Sequence, residues 1–126
     1  MKLLRLAGRG WPDGRGWAFR PLDEAGVEPA RCTDVHMASV VAGAVRGNHV
    51  HRNVTEWLLV LGAPATLAWR DADGTVAVAG TKADEPVLAE IPPGVAHAVR
   101  CDGPGTAFLV SWADGAPETE PVTPLL

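Results

Sequence analysis

His49 and His51 stand two residues apart, and Glu56 follows five further on. Imidazole nitrogens and a carboxylate oxygen are ligands for divalent transition metals, provided the chain can bring them to one point. In extended backbone, successive side chains alternate faces, so His49 and His51 point the same way. Glu56 is seven residues from His49, and an unbroken strand would put it on the opposite face. A turn or bulge must therefore intervene, and the polar segment Arg52-Asn53-Val54-Thr55 is the place for it. A new strand then runs from Glu56 through Trp57-Leu58-Leu59-Val60-Leu61 to Gly62. A fourth donor lies downstream in Ile91-Pro92-Pro93-Gly94-Val95-Ala96-His97. Proline stiffens the approach to that turn and glycine permits an unusual backbone within it, so His97 enters its strand rigidly placed. Three imidazoles and a carboxylate suit Zn²⁺, Fe²⁺, Mn²⁺, Ni²⁺ or Cu²⁺, and donor type alone does not choose among them. In a catalytic site, waters or substrate would complete the coordination sphere.

The two stretches resemble the two sequence motifs of the cupin superfamily. Gly43, five residues, His49-Val50-His51, four residues, Glu56, five residues and Gly62 follow the first motif across 43–62. Pro92-Pro93-Gly94-Val95-Ala96-His97 follows the core of the second, across 86–101. Gly62 comes one residue early, Pro86 stands where the family has glycine, and Cys101 where it has asparagine. The resemblance covers residues 34–112 and implies an all-β jelly-roll barrel with one divalent metal ion held by His49, His51, Glu56 and His97. A narrower likeness rests on Arg46-Gly47-Asn48-His49-Val50-His51 followed by Glu56, Leu59 and Val60. It is similar to cupin domains of bacterial capsular-polysaccharide and sugar-nucleotide enzymes, including sugar-nucleotide ketoisomerases and epimerases, which implies a nucleotide-sugar substrate. Family epimerases use a tyrosine acid opposite a histidine base, and this chain has no tyrosine. An epimerase of that design is therefore not expected.

The rest of the chain reads as short strands between glycine-rich turns. Strands are expected over 2–7, 17–22, 34–42, 46–51, 56–61, 66–70, 75–79, 87–91, 96–101 and 106–112. Gly8 to Gly16 holds four glycines and a proline and reads as a loop. Asp71-Ala72-Asp73-Gly74 reads as a hairpin turn. Residues 113–126 read as an extended, partly loose tail. The pattern is that of a sandwich or barrel. At 126 residues, one domain spanning 1–126 is expected.

A net charge of −4 argues against nucleic-acid partners and anionic membrane surfaces. No run of eighteen apolar residues marks a membrane span. The apolar start is broken at Arg5, too early for a signal peptide, so a cytoplasmic location is expected. Cys32 and Cys101 read as reduced thiols, with Cys101 packed inside.

Two further side chains are candidates. His36 lies in an apolar strand, and on an inward face it becomes a proton-transfer group or a partner to the metal ligands. Arg46 precedes His49 by three residues and is a candidate clamp for a phosphate or carboxylate, which guanidinium binds bidentately. If Glu56 faces inward, so do Leu58 and Val60, and Trp57, Leu59 and Leu61 face out. Leaving those three in water costs about 1.5–3 kcal/mol each. They need a cover, from the flanking sheet, the N-terminal segment or a second subunit, and a homodimer is the expectation. The functional expectation is a metal-dependent enzyme, of isomerase or dioxygenase type, acting on a small carbohydrate-like molecule. The competing expectation is a non-catalytic metal- or sugar-binding module.

Overall fold

The structure is a computed structural model describing residues 1–126. Ten strands form two five-stranded antiparallel sheets: β1 Lys2–Arg5, β2 Asp34–Val40, β3 Val45–His51, β4 Glu56–Gly62, β5 Ala65–Arg70, β6 Val76–Gly80, β7 Val87–Ile91, β8 His97–Cys101, β9 Ala107–Ala113 and β10 Thr119–Pro121. The first sheet runs β1-β7-β4-β9-β2 and the second β10-β3-β8-β5-β6. The all-β jelly-roll expectation is met. Strands β3 and β4, consecutive in the chain, lie in opposite sheets. The histidine pair therefore faces Glu56 across the interior instead of lying beside it in one sheet.

Two apolar layers hold this arrangement. Between the sheets, Leu58, Val60, Leu67, Ala89, Ile91, Val99 and Cys101 form the barrel core with Val40 and Leu109. Cys101 is a free, buried thiol, and Cys32 is free as well. The parity argument holds, because Leu58 and Val60 face inward with Glu56. Trp57 and Leu59 face outward, yet both are buried, in a second layer with Leu6, Val27, Leu88 and Trp112. Its cover comes from the chain's own N-terminal segment, where Phe19, Leu22, Ala25 and Val27 close over the sheet. No second subunit is needed there, which corrects the reason for expecting one.

The N-terminal segment also corrects a strand. Residues 17–22 form none; Pro21–Ala25 is instead a short helix, α1, opened by Pro21 and ended by Gly26 in the left-handed conformation. Proline at the first helical position is pre-set for that start, and glycine supplies the stop. A 3₁₀ turn follows at Pro29–Arg31. The expected strand over 34–42 ends at Val40. The Asp71–Gly74 turn is present, closed by Asp71 N–H to Thr75 C=O at 2.8 Å. The tail is not loose: β10 pairs with β3 as an edge strand.

Candidate metal centre

Three elements carry the four donors. His49 and His51 share the inward face of β3, His97 opens β8, and Glu56 opens β4. His49 and His97 are register partners on neighbouring strands. The β3–β8 ladder shifts between Gly47 and His49, with Gly47 at φ +93° and Asn48 at φ +54°. This irregularity, a bulge-like feature, is what a strict strand reading of Arg46–His51 misses. A Cβ on Gly47 would sit 2.8 Å from the His97 carbonyl oxygen and 2.9 Å from Ala98 Cα, so only glycine lets β3 approach β8 this closely. The expected turn after His51 is present as bends at Arg52 and Asn53. Gly94, at φ +83°, donates its N–H to the His51 carbonyl at 2.8 Å, which ties the Pro-Pro-Gly turn directly to the histidine pair.

The four donor atoms all lie within 4.8 Å of one another. Glu56 Oε2 is 3.1 Å from His51 Nε2 and 3.0 Å from His97 Nε2. His49 Nε2 is 3.1 Å from His97 Nε2. Despite these distances Glu56 Oε2 has no hydrogen-bond partner. A buried carboxylate oxygen without a hydrogen bond is costly. A partnerless carboxylate oxygen crowded by three imidazole nitrogens is what a small cation at their centre would satisfy. By this measure the residues fit a divalent metal ion.

The outer ring atoms are also accounted for. His97 Nδ1 is 3.1 Å from the Val95 carbonyl, which can only accept, so Nδ1 carries the proton and Nε2 presents its lone pair. His51 Nδ1 lies 2.9 Å from Thr119 Oγ1. Burial, then the neighbouring His97 and His51, outweigh Glu56 and push the His49 pKa down to about 4. His49 is thus a neutral, ligand-ready imidazole at pH 7. Burial alone would raise the Glu56 pKa, but in the metal-free centre a proton on the facing nitrogens of His51 or His97 favours the carboxylate and holds the carboxyl well below its usual range.

The cluster lines a cavity of about 700 Å³. Leu58, Val99, Leu109 and Ala38 supply apolar wall, and His36, Ser39 and Arg46 supply polar wall. His36 is on the inward face, as one of its two expectations had it, but its bonded partner is Ser111 Oγ, 2.8 Å from Nδ1. Ser111, buried on β9, was not singled out in the sequence; its position opposite His36 in the β2–β9 register is a long-range fact. Arg46 lines the same cavity with its Nε–H committed to the Ser39 carbonyl at 2.7 Å. Trp57 and Trp112 are buried in the outer layer, and no tryptophan lines this cavity.

A jelly roll with two histidines and a glutamate from the first motif, and one histidine from the second, defines a cupin. Residues 20–120 match the polysaccharide biosynthesis C-terminal domain family, and the chain belongs to it. No curated protein matches by sequence. Solved structures share the fold. The capsular polysaccharide assembling protein CapF from Staphylococcus aureus is 21% identical, with TM-score 0.66 over 75% of this chain and 28% of its own. The sugar 3,4-ketoisomerase QdtA from Thermoanaerobacterium thermosaccharolyticum, solved with TDP, is 14% identical, with TM-score 0.65 over 90% of this chain and 81% of its own. A dTDP sugar isomerase from Desulfovibrio desulfuricans G20 is 17% identical, with TM-score 0.62 over 73% and 65%. The chain spans less than a third of the staphylococcal protein's length.

Proposed function

We propose that this chain is a metal-binding cupin, a single domain over residues 1–126, that acts as an enzyme on a small carbohydrate-like molecule. One observation carries the reading: a four-donor cluster lines a cavity whose walls mix apolar and polar side chains. His49, His51, Glu56 and His97 would hold one Zn²⁺, Fe²⁺, Mn²⁺ or Ni²⁺. When bound, such an ion polarises a carbonyl or enediolate oxygen, or in the iron case supports a dioxygenase.

The chain's own groups supply the rest. In the tautomer whose Nδ1–H donates to Ser111 Oγ, His36 Nε2 has a lone pair free for a proton of a ligand in the cavity. Arg46, anchored through Nε, can offer its terminal N–H groups to one anionic group. Leu58, Val99 and Leu109 give the cavity an apolar wall. An aldose–ketose or ketose–ketose isomerisation fits these parts. The carbohydrate assignment is supported by the family and by neighbours described as a sugar ketoisomerase, a sugar isomerase and a polysaccharide assembling protein.

A second reading has its own support. Beyond the metal donors His36 is the one imidazole or carboxylate lining the cavity, and CapF carries this fold within a much longer chain. Both favour a non-catalytic binding module. A thermal-shift screen of metal-loaded protein against sugar nucleotides, keto sugars and free sugars, followed by turnover assays of hits, separates the readings. Turnover lost in His36→Asn with ligand binding retained supports the enzyme. Binding without turnover leaves the module, and no stabilisation by any sugar removes the carbohydrate assignment.

A further inference from the structure

We propose that Thr119 is the positioning residue for His51, and that the C-terminal segment 116–125 is a strap that completes the four-donor centre. This rests on the metal-binding reading above. Strand β10 pairs with β3 in the register Thr119↔His51, Glu120↔Val50 and Pro121↔His49, so the strap lies directly alongside two of the donors. Its attachments bracket them. On one side Val122 N–H donates to the Asn48 carbonyl at 2.9 Å, and Leu125 N–H to Asn48 Oδ1 at 2.7 Å. On the other, Arg52 N–H donates to the Glu118 carbonyl at 3.0 Å, and Asn53 exchanges hydrogen bonds with Ala116 and Glu118. The Arg52 guanidinium grips Glu120 Oε2 through Nε and Nη2, at 2.9 and 2.8 Å. Asn48, at φ +54°, holds a backbone that non-glycine residues seldom adopt, and the strap is what bonds it there.

The chemical consequence falls on one ring. An imidazole has two nitrogens, and the partner of one decides what the other offers. The Val95 carbonyl fixes His97 from two residues away in the chain. His51 has no such neighbour; its partner at Nδ1 is the hydroxyl of Thr119, brought by the strap from the far end of the protein. In the tautomer whose Nδ1–H donates to the Thr119 hydroxyl, which is the one a metal at Nε2 requires, His51 Nε2 presents its lone pair beside Glu56 Oε2. Partners of this kind change metal affinity by about 10–100-fold in other sites.

The test compares Thr119→Val, which keeps the branched shape and loses the hydroxyl, with Thr119→Ser, which keeps the hydroxyl. Zinc affinity is read by competition with a chromogenic chelator. The His51 tautomer is read in the metal-free protein from its imidazole ¹⁵N shifts. The valine variant should bind zinc about 10–100-fold more weakly and show a changed His51 nitrogen pattern. The serine variant, which keeps the hydroxyl, should bind zinc as the parent does. Valine binding zinc like the parent with an unchanged His51 pattern, or serine as weak as valine, overturns the proposal. Failure of the metal reading looks different: the parent protein binds no zinc, while the nitrogen shifts still report whether Thr119 holds the ring.

Discussion

Glu56 Oε2 and His97 Nε2 stand 3.0 Å apart and do not hydrogen-bond. They come from opposite sheets, so the packing of the whole barrel brings a carboxylate lone pair up against an imidazole and leaves both aimed into a shared space. The first prediction follows. The purified protein should carry close to one divalent transition metal per chain by elemental analysis, and His49→Ala/His97→Ala should carry none. Ion at about a hundred times its dissociation constant adds about 2.7 kcal/mol of stability. For a chain of this size that raises Tm by roughly ten degrees. A metal-free protein whose melting ignores added zinc, nickel, manganese and ferrous ion would sink the metal centre.

Acid should destabilise the metal-free protein. His49 has a folded pKa of about 4 against an ordinary value of 6.5. Between those values the unfolded chain binds a proton that the folded chain refuses, so stability rises with pH across that window and falls on acidification through it. Glu56 is depressed from 4.5, so its contribution is present above 4.5 and is lost as pH drops further. Both act in one direction. Urea midpoints of chelator-treated protein should fall steadily from pH 7 to pH 4; a flat profile would contradict the burial of neutral His49.

Gly47→Ala should damage the site without touching a donor. The new methyl would meet the His97 carbonyl oxygen at 2.8 Å, on a backbone with φ +93°. Strain and overpacking together should cost about 2–5 kcal/mol. A lowered urea midpoint and weakened zinc binding in the same variant are the expected pair. Wild-type stability would show that β3 and β8 can separate freely.

The expected homodimer has a different support from the one that sequence parity suggests. Trp57 and Leu59 are covered within the chain, but Val35, Met37 and Phe108 are exposed on the same outer face. They lie on or beside β2, whose second edge is unpaired. Exposed apolar residues along a free edge strand favour association. Light scattering should give twice the monomer mass, and Met37→Asp should return it to one. A monomeric parent at micromolar concentration would end the dimer reading.

Much of the centre was legible in the chain because its cues are local. Proline and glycine restrict or free their own backbone, and alternation along a strand follows from backbone geometry. Those facts determined the strands around His49, Glu56 and His97, the turn after His51, and the inward facing of Leu58 and Val60. What only tertiary structure decided involves segments distant in sequence. Pro21–Ala25 takes up helix where residues 17–22 suggested strand, and Leu22 and Ala25 then pack on the layer that holds Trp57 and Trp112. Ser111 meets His36 through the β2–β9 register, and Thr119 meets His51 through an edge strand read as loose tail. No local pattern encodes such pairings. They arise from which sheet edge is free and which apolar face lacks a cover, and neither exists until the barrel closes.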